Sequence, residues 1–534
     1  MKIKTITLVA ASAAGLIASA INPFLPLWEY IPDGEPYVFD DPDNPGKKRV
    51  YVYGSHDIRR TEFCGRDQVV WSAPVDSLDS WRYDGVIFKL TTDRDGNTLG
   101  DGQGDVLYAP DVCEITEPDG SKTYYLYPNA QAAGREGTVA RSKRPDGPFE
   151  VCNWSADDPL LTDGVLRFDP AVFVDDDGRV YGYWGYEDSW AAELDPATMA
   201  TVKPGTEPVK DPIGGRHDRS KIDRFYEASS MRKIADKYVY VYSRYTIPGE
   251  LDMPEESNYT LAYSYGDSPL GPFTFGGTII DGRGLMTDAD GKHIVTAHPN
   301  GNTHGGLCEI NGQWYVFYHR QCGADEYSRQ AMVAPVTIEL EPGPGGKVTI
   351  SQAEYTSEGF ELEGLDPFRA YPAGIACFYT AKEPARAEFP RKIFHGSYPH
   401  TGRYDGDPAS ASPLIDLTVN PMVNNTDGST IGYKYYNFNK IDSSKPLSLD
   451  LNMLPTGIEG TIEIFAGENL NGMDTQRKIG ELRLPAAESP MTTTLNAPLT
   501  NIEGLTGRQP LYLRFSSPVD NQSLCTLYYL QLRQ

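Results

Sequence analysis

Five residues with ionisable or metal-binding side chains stand at the heads of short strand-like runs. They are Glu35 in Gly34-Glu35-Pro36-Tyr37-Val38-Phe39, Asp111 in Ala109-Pro110-Asp111-Val112, and Asp169 in Phe168-Asp169-Pro170-Ala171-Val172-Phe173. The others are Glu227 in Tyr226-Glu227-Ala228-Ser229 and His304 in Thr303-His304-Gly305-Gly306-Leu307. The intervals between them are 76, 58, 58 and 77 residues. Two carboxyl groups held apart in a sugar-sized pocket suit glycoside hydrolysis. One stays protonated and donates to the leaving oxygen, and the other is ionised and activates a water. Burial and neighbouring negative charge raise the pKa of the first, and a third carboxylate beside it can hold its proton and orient it. Acids without paired basic residues do not suit phosphoryl transfer. Calcium binding is the competing chemistry.

Elements that could bring these residues together follow each head. Aromatic, alternating runs recur five times, as Val50-Tyr51-Val52-Tyr53, Tyr124-Tyr125-Leu126-Tyr127, Val180-Tyr181-Gly182-Tyr183, Tyr238-Val239-Tyr240-Val241-Tyr242 and Trp314-Tyr315-Val316-Phe317-Tyr318. Period-two alternation of Tyr, Val and Phe favours a pleated strand. Turns such as Asp177-Gly178-Arg179 and Asn311-Gly312-Gln313 introduce several of them in the manner of hairpins. Units of roughly 60–75 residues opening with a hairpin have the size of propeller blades. The expected fold is all-β, with a five-bladed β-propeller over 21–345. Its innermost strands line a central channel, so their heads converge on one end of it.

The pattern changes after residue 345. Glu341-Pro342-Gly343-Pro344-Gly345-Gly346 leads into an expected linker over 346–374. Short strands then recur over 375–534, among them Thr430–Tyr436, Leu447–Leu451, Thr461–Phe465, Leu511–Phe515 and Leu527–Leu530, the spacing of an antiparallel β-sandwich.

The propeller region resembles glycoside hydrolase family 43. Asn22-Pro23-Phe24-Leu25-Pro26, Arg49-Val50-Tyr51-Val52-Tyr53-Gly54-Ser55, the run Phe168–Gly178 and Tyr327-Ser328-Arg329-Gln330 carry the likeness. The resemblance implies an inverting arabinofuranosidase or β-xylosidase acting on plant cell-wall glycan. It implies Glu227 as general acid, Asp169 as the residue that raises the acid's pKa, and Arg329 as a substrate-binding arginine. His304 matches a channel histidine beside a bound cation in many members, so calcium is a candidate there or in the sandwich, while the chemistry itself requires no cofactor. Asp111 matches a residue of the pocket wall. The family's Asp-Pro general base falls on Glu35, one methylene longer, with Asp33 as the other candidate. Tyr108 and Phe168 are candidates for stacking on sugar, and Arg320 is a weaker ligand candidate than Arg329. The departure at Glu35 leaves open an inactive, carbohydrate-binding propeller. A retaining propeller glycosidase is a further alternative, although Gly34-Glu35-Pro36 does not match its Asn-Asp-Pro motif. Ile431-Gly432-Tyr433 and Pro510–Phe515 resemble carbohydrate-binding module family 6.

Composition is consistent with a neutral polar ligand. The 534 residues carry 48 Lys+Arg against 74 Asp+Glu, a formal charge of −26, which argues against nucleic acid or an anionic membrane as partner. Lys2 and Lys4, the mainly apolar run from Ile6 to Ala18, and Ala18-Ser19-Ala20 read as a signal peptide over 1–20, implying a secreted or periplasmic protein without membrane insertion. Seven scattered cysteines form no disulfide or zinc framework.

Overall fold

The computed structural model describes residues 20–534 apart from 60, 285, 288–292, 295, 297, 299–300, 384, 389–392, 407–414 and 468–475. The expected signal segment therefore lies almost wholly outside the described residues. Strands dominate, and five successive antiparallel meanders form five blades. Blade 1 runs Glu35–Asp40, Lys48–Gly54, Gln68–Pro74 and Arg82–Phe88. Blade 2 opens at Asp111–Thr116, blade 3 at Ala171–Val174 and blade 4 at Phe225–Ile234, each with four strands. Blade 5 has three, Leu307–Ile310, Gln313–Gln321 and Arg329–Val336.

Alternation along the second strands explains why the blades close into a ring. Val50 and Val52 pack with blade 5, whereas Tyr51 and Tyr53 pack with blade 2. Val239 and Val241 join blade 5, whereas Tyr238, Tyr240 and Tyr242 join blade 3. A further cluster, including Cys113, Tyr127, Val172 and Val180, joins blades 2 and 3. Each pleated sheet thus buries both faces, and each fully buried large side chain contributes roughly 1.5–3 kcal/mol. The N-terminal segment completes the circle. Phe24 and Ile31 pack between blades 5 and 1, and the Asn22 side chain donates to the Val333 carbonyl at 2.6 Å and accepts from its N–H at 3.0 Å.

The second domain is one continuous antiparallel sheet that folds over a single core containing Tyr433, Leu449, Ile464, Leu513 and Leu527, a β-sandwich-like architecture. The stretch read as a linker is packed rather than extended. Val348–Ile350 pairs with Ile338–Leu340, Val348 and Tyr355 join the core between blades 4 and 5, and Phe360 lies against Phe24. Its apolar residues thus extend the cores between blades 4 and 5 and between blades 5 and 1. The two domains share buried hydrogen bonds, including Arg320 to the Ala376 and Gly374 carbonyls.

Candidate active site

A cavity of about 1000 Å³ opens at the channel end of the propeller. Asp33, Asp169, Glu227 and His304 line it, together with Tyr108, Phe168 and Arg329. The ring brings these side chains together from all five blades.

Asp169 lies two residues before the first residue of its strand, with a left-handed backbone (φ 41°) that turns its carboxylate into the channel mouth. It accepts from the Asn129 amide at 3.0 Å and from the Ala228 N–H at 3.1 Å. Burial and the neighbouring Glu227 and Asp33 charges push its pKa well above the usual carboxylate range. The bond to Ala228 fixes the residue that follows Glu227. At that point the strand Phe225–Ile234 departs from regular pairing, and Ala228 has φ 69°. Such irregularities re-aim side chains, and here the half-buried Glu227 faces the cavity.

Asp33 occupies the same place in blade 1 as Asp169 does in blade 3, two residues ahead of the strand and in left-handed backbone (φ 58°). Its Oδ1 accepts from Arg329 at 2.9 Å and its Oδ2 from the Ser55 hydroxyl at 2.5 Å. Its own N–H donates to His319 Nδ1 at 3.2 Å, which leaves Nε2 to donate to the Asn302 carbonyl at 3.0 Å. Burial pushes His319 down to about 3, so it is neutral. Burial also opposes ionisation of Asp33, but Arg329 foremost, aided by Ser55, holds it below the usual carboxylate range. One carboxylate favoured as the anion and another favoured as the acid therefore face the same space. His304 stands between them, its Nδ1 4.0 Å from Asp33 and 3.7 Å from Asp169, and burial lowers its pKa.

Glu35 and Asp111 do not line the cavity. They lie one layer deeper, as the first residues of their strands, each 1% exposed. Glu35 accepts from Ser230 at 2.5 Å and pairs with Arg232 at 2.9 Å. An added Cβ on Gly306 would collide with its carboxylate, so the innermost strands leave no room for a sugar there. Asp111 accepts from the Tyr37 hydroxyl at 2.7 Å and the Val172 N–H at 2.6 Å, tying blades 1, 2 and 3. Burial and Glu35 raise its pKa to about 7.

Arg329 reaches the cavity wall, but its guanidinium is engaged by Asp33 and, in two bonds of 2.9 and 3.0 Å, by Asp57. It is placed to hold Asp33. Arg320 is fully buried under the second domain, away from the cavity. The stacking candidates Tyr108 and Phe168 do line the wall, and Tyr186, Tyr226, Tyr245 and Arg216, not singled out from sequence, complete it. Tyr108, Phe168, Tyr186, Tyr226 and Tyr245 form a chain of ring contacts 5.2 to 6.5 Å between centroids, and Arg216 lies 4.2 Å over Tyr245. Tyr226 was within reach, since it immediately precedes Glu227.

Among the described residues no three His, Cys, Asp or Glu side chains are grouped to hold a metal. The charge facing Glu35 and Asp111 is Arg232, which lies 4.4 Å over the Tyr37 ring and donates to the Leu307 and Pro36 carbonyls at 2.8 and 3.0 Å.

Residues 47–341 match the family model for glycosyl hydrolases family 43. The chain belongs to this family. A xylosidase/arabinosidase of Thermoclostridium stercorarium is 34% identical over 442 residues, 79% of this chain and 84% of its own length. An arabinoxylan arabinofuranohydrolase of Paenibacillus polymyxa is 25% identical over 502 residues, covering 91% of this chain and 69% of that protein. Among solved structures, the Bacillus subtilis family 43 arabinoxylan arabinofuranohydrolase in complex with cellotetraose aligns with a TM-score of 0.45 and 19% identity, over 98% of this chain and 100% of that one. As a family 43 member the protein is a glycoside hydrolase that cleaves O-glycosyl bonds with inversion and without a cofactor for the chemistry.

Proposed function

We propose that the protein is an exported hydrolase of plant cell-wall glycan that releases single arabinofuranose or xylopyranose residues, with Asp33 as general base, Glu227 as general acid and Asp169 as the residue that keeps the acid's proton in place. The observation that carries this reading is the meeting of these three carboxyl groups in one cavity, with the ionised state favoured on Asp33 and the protonated state on Asp169. The names of the relatives support the sugar class. The basic start, apolar run and Ala18-Ser19-Ala20 site support export, and no described helix is long and apolar enough to cross a membrane.

In the reaction, a water attacks the anomeric carbon from the Asp33 side and gives its proton to that carboxylate. The C–O bond to the leaving group breaks on the other face, and the departing oxygen takes the proton of Glu227. Arg329 and Ser55 hold Asp33 in place as the base, and the aromatic chain from Tyr108 to Tyr245 offers faces to the sugar ring. This assignment gives the base role to Asp33 over Glu35, because Glu35 has its carboxylate committed to Ser230 and Arg232.

The test is release of 4-nitrophenol from aryl α-L-arabinofuranoside and β-D-xyloside, with the first-formed sugar anomer followed by NMR. Inverted product is expected, and Glu227→Gln should abolish release while oligosaccharide binding persists. Retained product, or no turnover on either glycoside alongside tight oligosaccharide binding, contradicts the reading.

A further inference from the structure

The cavity is not built by the propeller alone. Arg386, an exposed residue of the second domain, is part of its wall. It begins the strand Arg386–Glu388, which pairs antiparallel with Ile393–His395. The second of these strands is anchored to both domains through Phe394. The Phe394 side chain is buried in the core of the second domain, while its N–H donates to the Ala324 carbonyl of the propeller at 2.8 Å.

Ala324 belongs to the loop between the last two strands of blade 5, and the second domain grips that loop at further points. Gly323 N–H donates to Thr401 Oγ1 at 3.3 Å, the Asn420 amide to Cys322 Sγ at 2.9 Å, and Arg403 stands 3.6 Å from Asp325. The same loop carries Glu326, another cavity residue, and ends at Arg329, which holds Asp33. The second domain therefore supplies one wall residue directly and braces the segment that positions the base.

The rest of that domain offers little to a sugar. All seven tryptophans precede residue 345, and among its described residues from 375 onward Met491 is the one large apolar side chain that stands exposed.

We infer that the second domain completes the active site, and that Arg386 binds the part of the glycan beyond the sugar being released. The inference rests on the hydrolase reading above. A guanidinium presents a rigid fork of donors that fits neighbouring hydroxyls of a neutral sugar as well as a carboxylate. Glu255, Glu256 and Glu326 line the same cavity, and they would repel a uronate while accepting hydroxyl hydrogens. The ligand is accordingly a neutral pentose chain. Arg386 acts as a specificity-determining residue and takes no part in proton transfer.

The experiment compares Arg386→Ala with the full-length wild type on two substrates carrying the same scissile sugar, a 4-nitrophenyl glycoside and a pentose oligosaccharide (xylotriose or arabinosylated xylotriose, whichever the wild type cleaves). Loss of a charged hydrogen-bonding group predicts about a tenfold fall in kcat/KM on the oligosaccharide, expressed in KM, with the aryl glycoside changed less than twofold and the thermal midpoint unchanged. Equal effects on both substrates, or none on either, overturn the inference. A wild-type preference for a glucuronate-bearing oligosaccharide that disappears in Arg386→Ala overturns the neutral-ligand assignment. A wild type that cleaves neither substrate counts against the hydrolase reading itself, and so the two failures are distinguishable.

Discussion

Asp33→Asn and Glu35→Gln, made side by side, decide which acid of blade 1 takes the proton from water. Asparagine keeps the size of Asp33 and can still accept from Arg329, but it cannot accept a proton. Loss of a general base costs typically 10²–10⁴ in rate, equivalent to about 3–5 kcal/mol of barrier at 1.36 kcal/mol per tenfold. The accompanying stability cost is limited, because Arg329 keeps its two bonds to Asp57. Leaving a buried charge wholly unpaired costs about 3–5 kcal/mol, and losing one of two carboxylates should cost less than that. Glu35→Gln reverses the balance. It leaves an acceptor for Ser230 but removes the only carboxylate that pairs with Arg232 among the described residues, so its cost should approach about 3 kcal/mol of stability with kcat/KM within tenfold of wild type. The assay is turnover of an aryl glycoside with and without sodium azide, alongside thermal melts. Azide, a small nucleophile that needs no base, should accelerate Asp33→Asn and leave Glu35→Gln unchanged. The reasoning is refuted if Glu35→Gln falls a thousandfold at an unchanged melting temperature and responds to azide, while Asp33→Asn retains more than a tenth of wild-type activity.

Two pH-dependent outcomes follow from the raised carboxyl groups. Asp169 is held above the usual range by burial, Glu227 and Asp33, so Asp169→Asn should let the neighbouring acid lose its proton earlier, moving the basic limb of the kcat/KM profile to lower pH by about one unit or more, and an unmoved limb would argue against coupling of the two groups. Asp111, at about 7 in the folded protein, binds a proton there that the unfolded chain releases near pH 4; stability therefore falls as pH rises between those values, on the order of 4 kcal/mol in total. Melting temperatures measured from pH 4 to 8 should decline across that window in the wild type and flatten in Asp111→Asn, and parallel curves would show that another group is responsible.

The sequence carried the ring more completely than the site because the two rest on different kinds of regularity. Alternating Val and Tyr along Val50–Tyr53 or Tyr238–Tyr242 must place one set of side chains toward each neighbouring blade, and the five inter-blade cores are the direct result. Depth along the channel has no such periodic signal. Glu35-Pro36 and Asp169-Pro170 look equivalent as dipeptides, yet Glu35 starts its strand while Asp169 precedes its strand by two residues. The true counterpart of Asp169 is Asp33, and in blade 2 it is Ala109, which also lines the cavity, two residues before Asp111. Counting back from the strand start aligns all three, but the start depends on where left-handed residues such as Asp33 and Asp169 turn the chain. The same offset explains the deeper layer. With Glu35 and Asp111 facing each other below the site, an arginine from the neighbouring blade-4 strand can sit against them, and Arg232 does so within a run, Ser229-Ser230-Met231-Arg232, that shows no motif. Removing that cation would leave the Glu35 carboxylate without its ion pair and would raise the pKa of Asp111 further, because Arg232 is one of the groups that hold it down. The layer beneath the site is therefore held together by a residue that does not line the cavity.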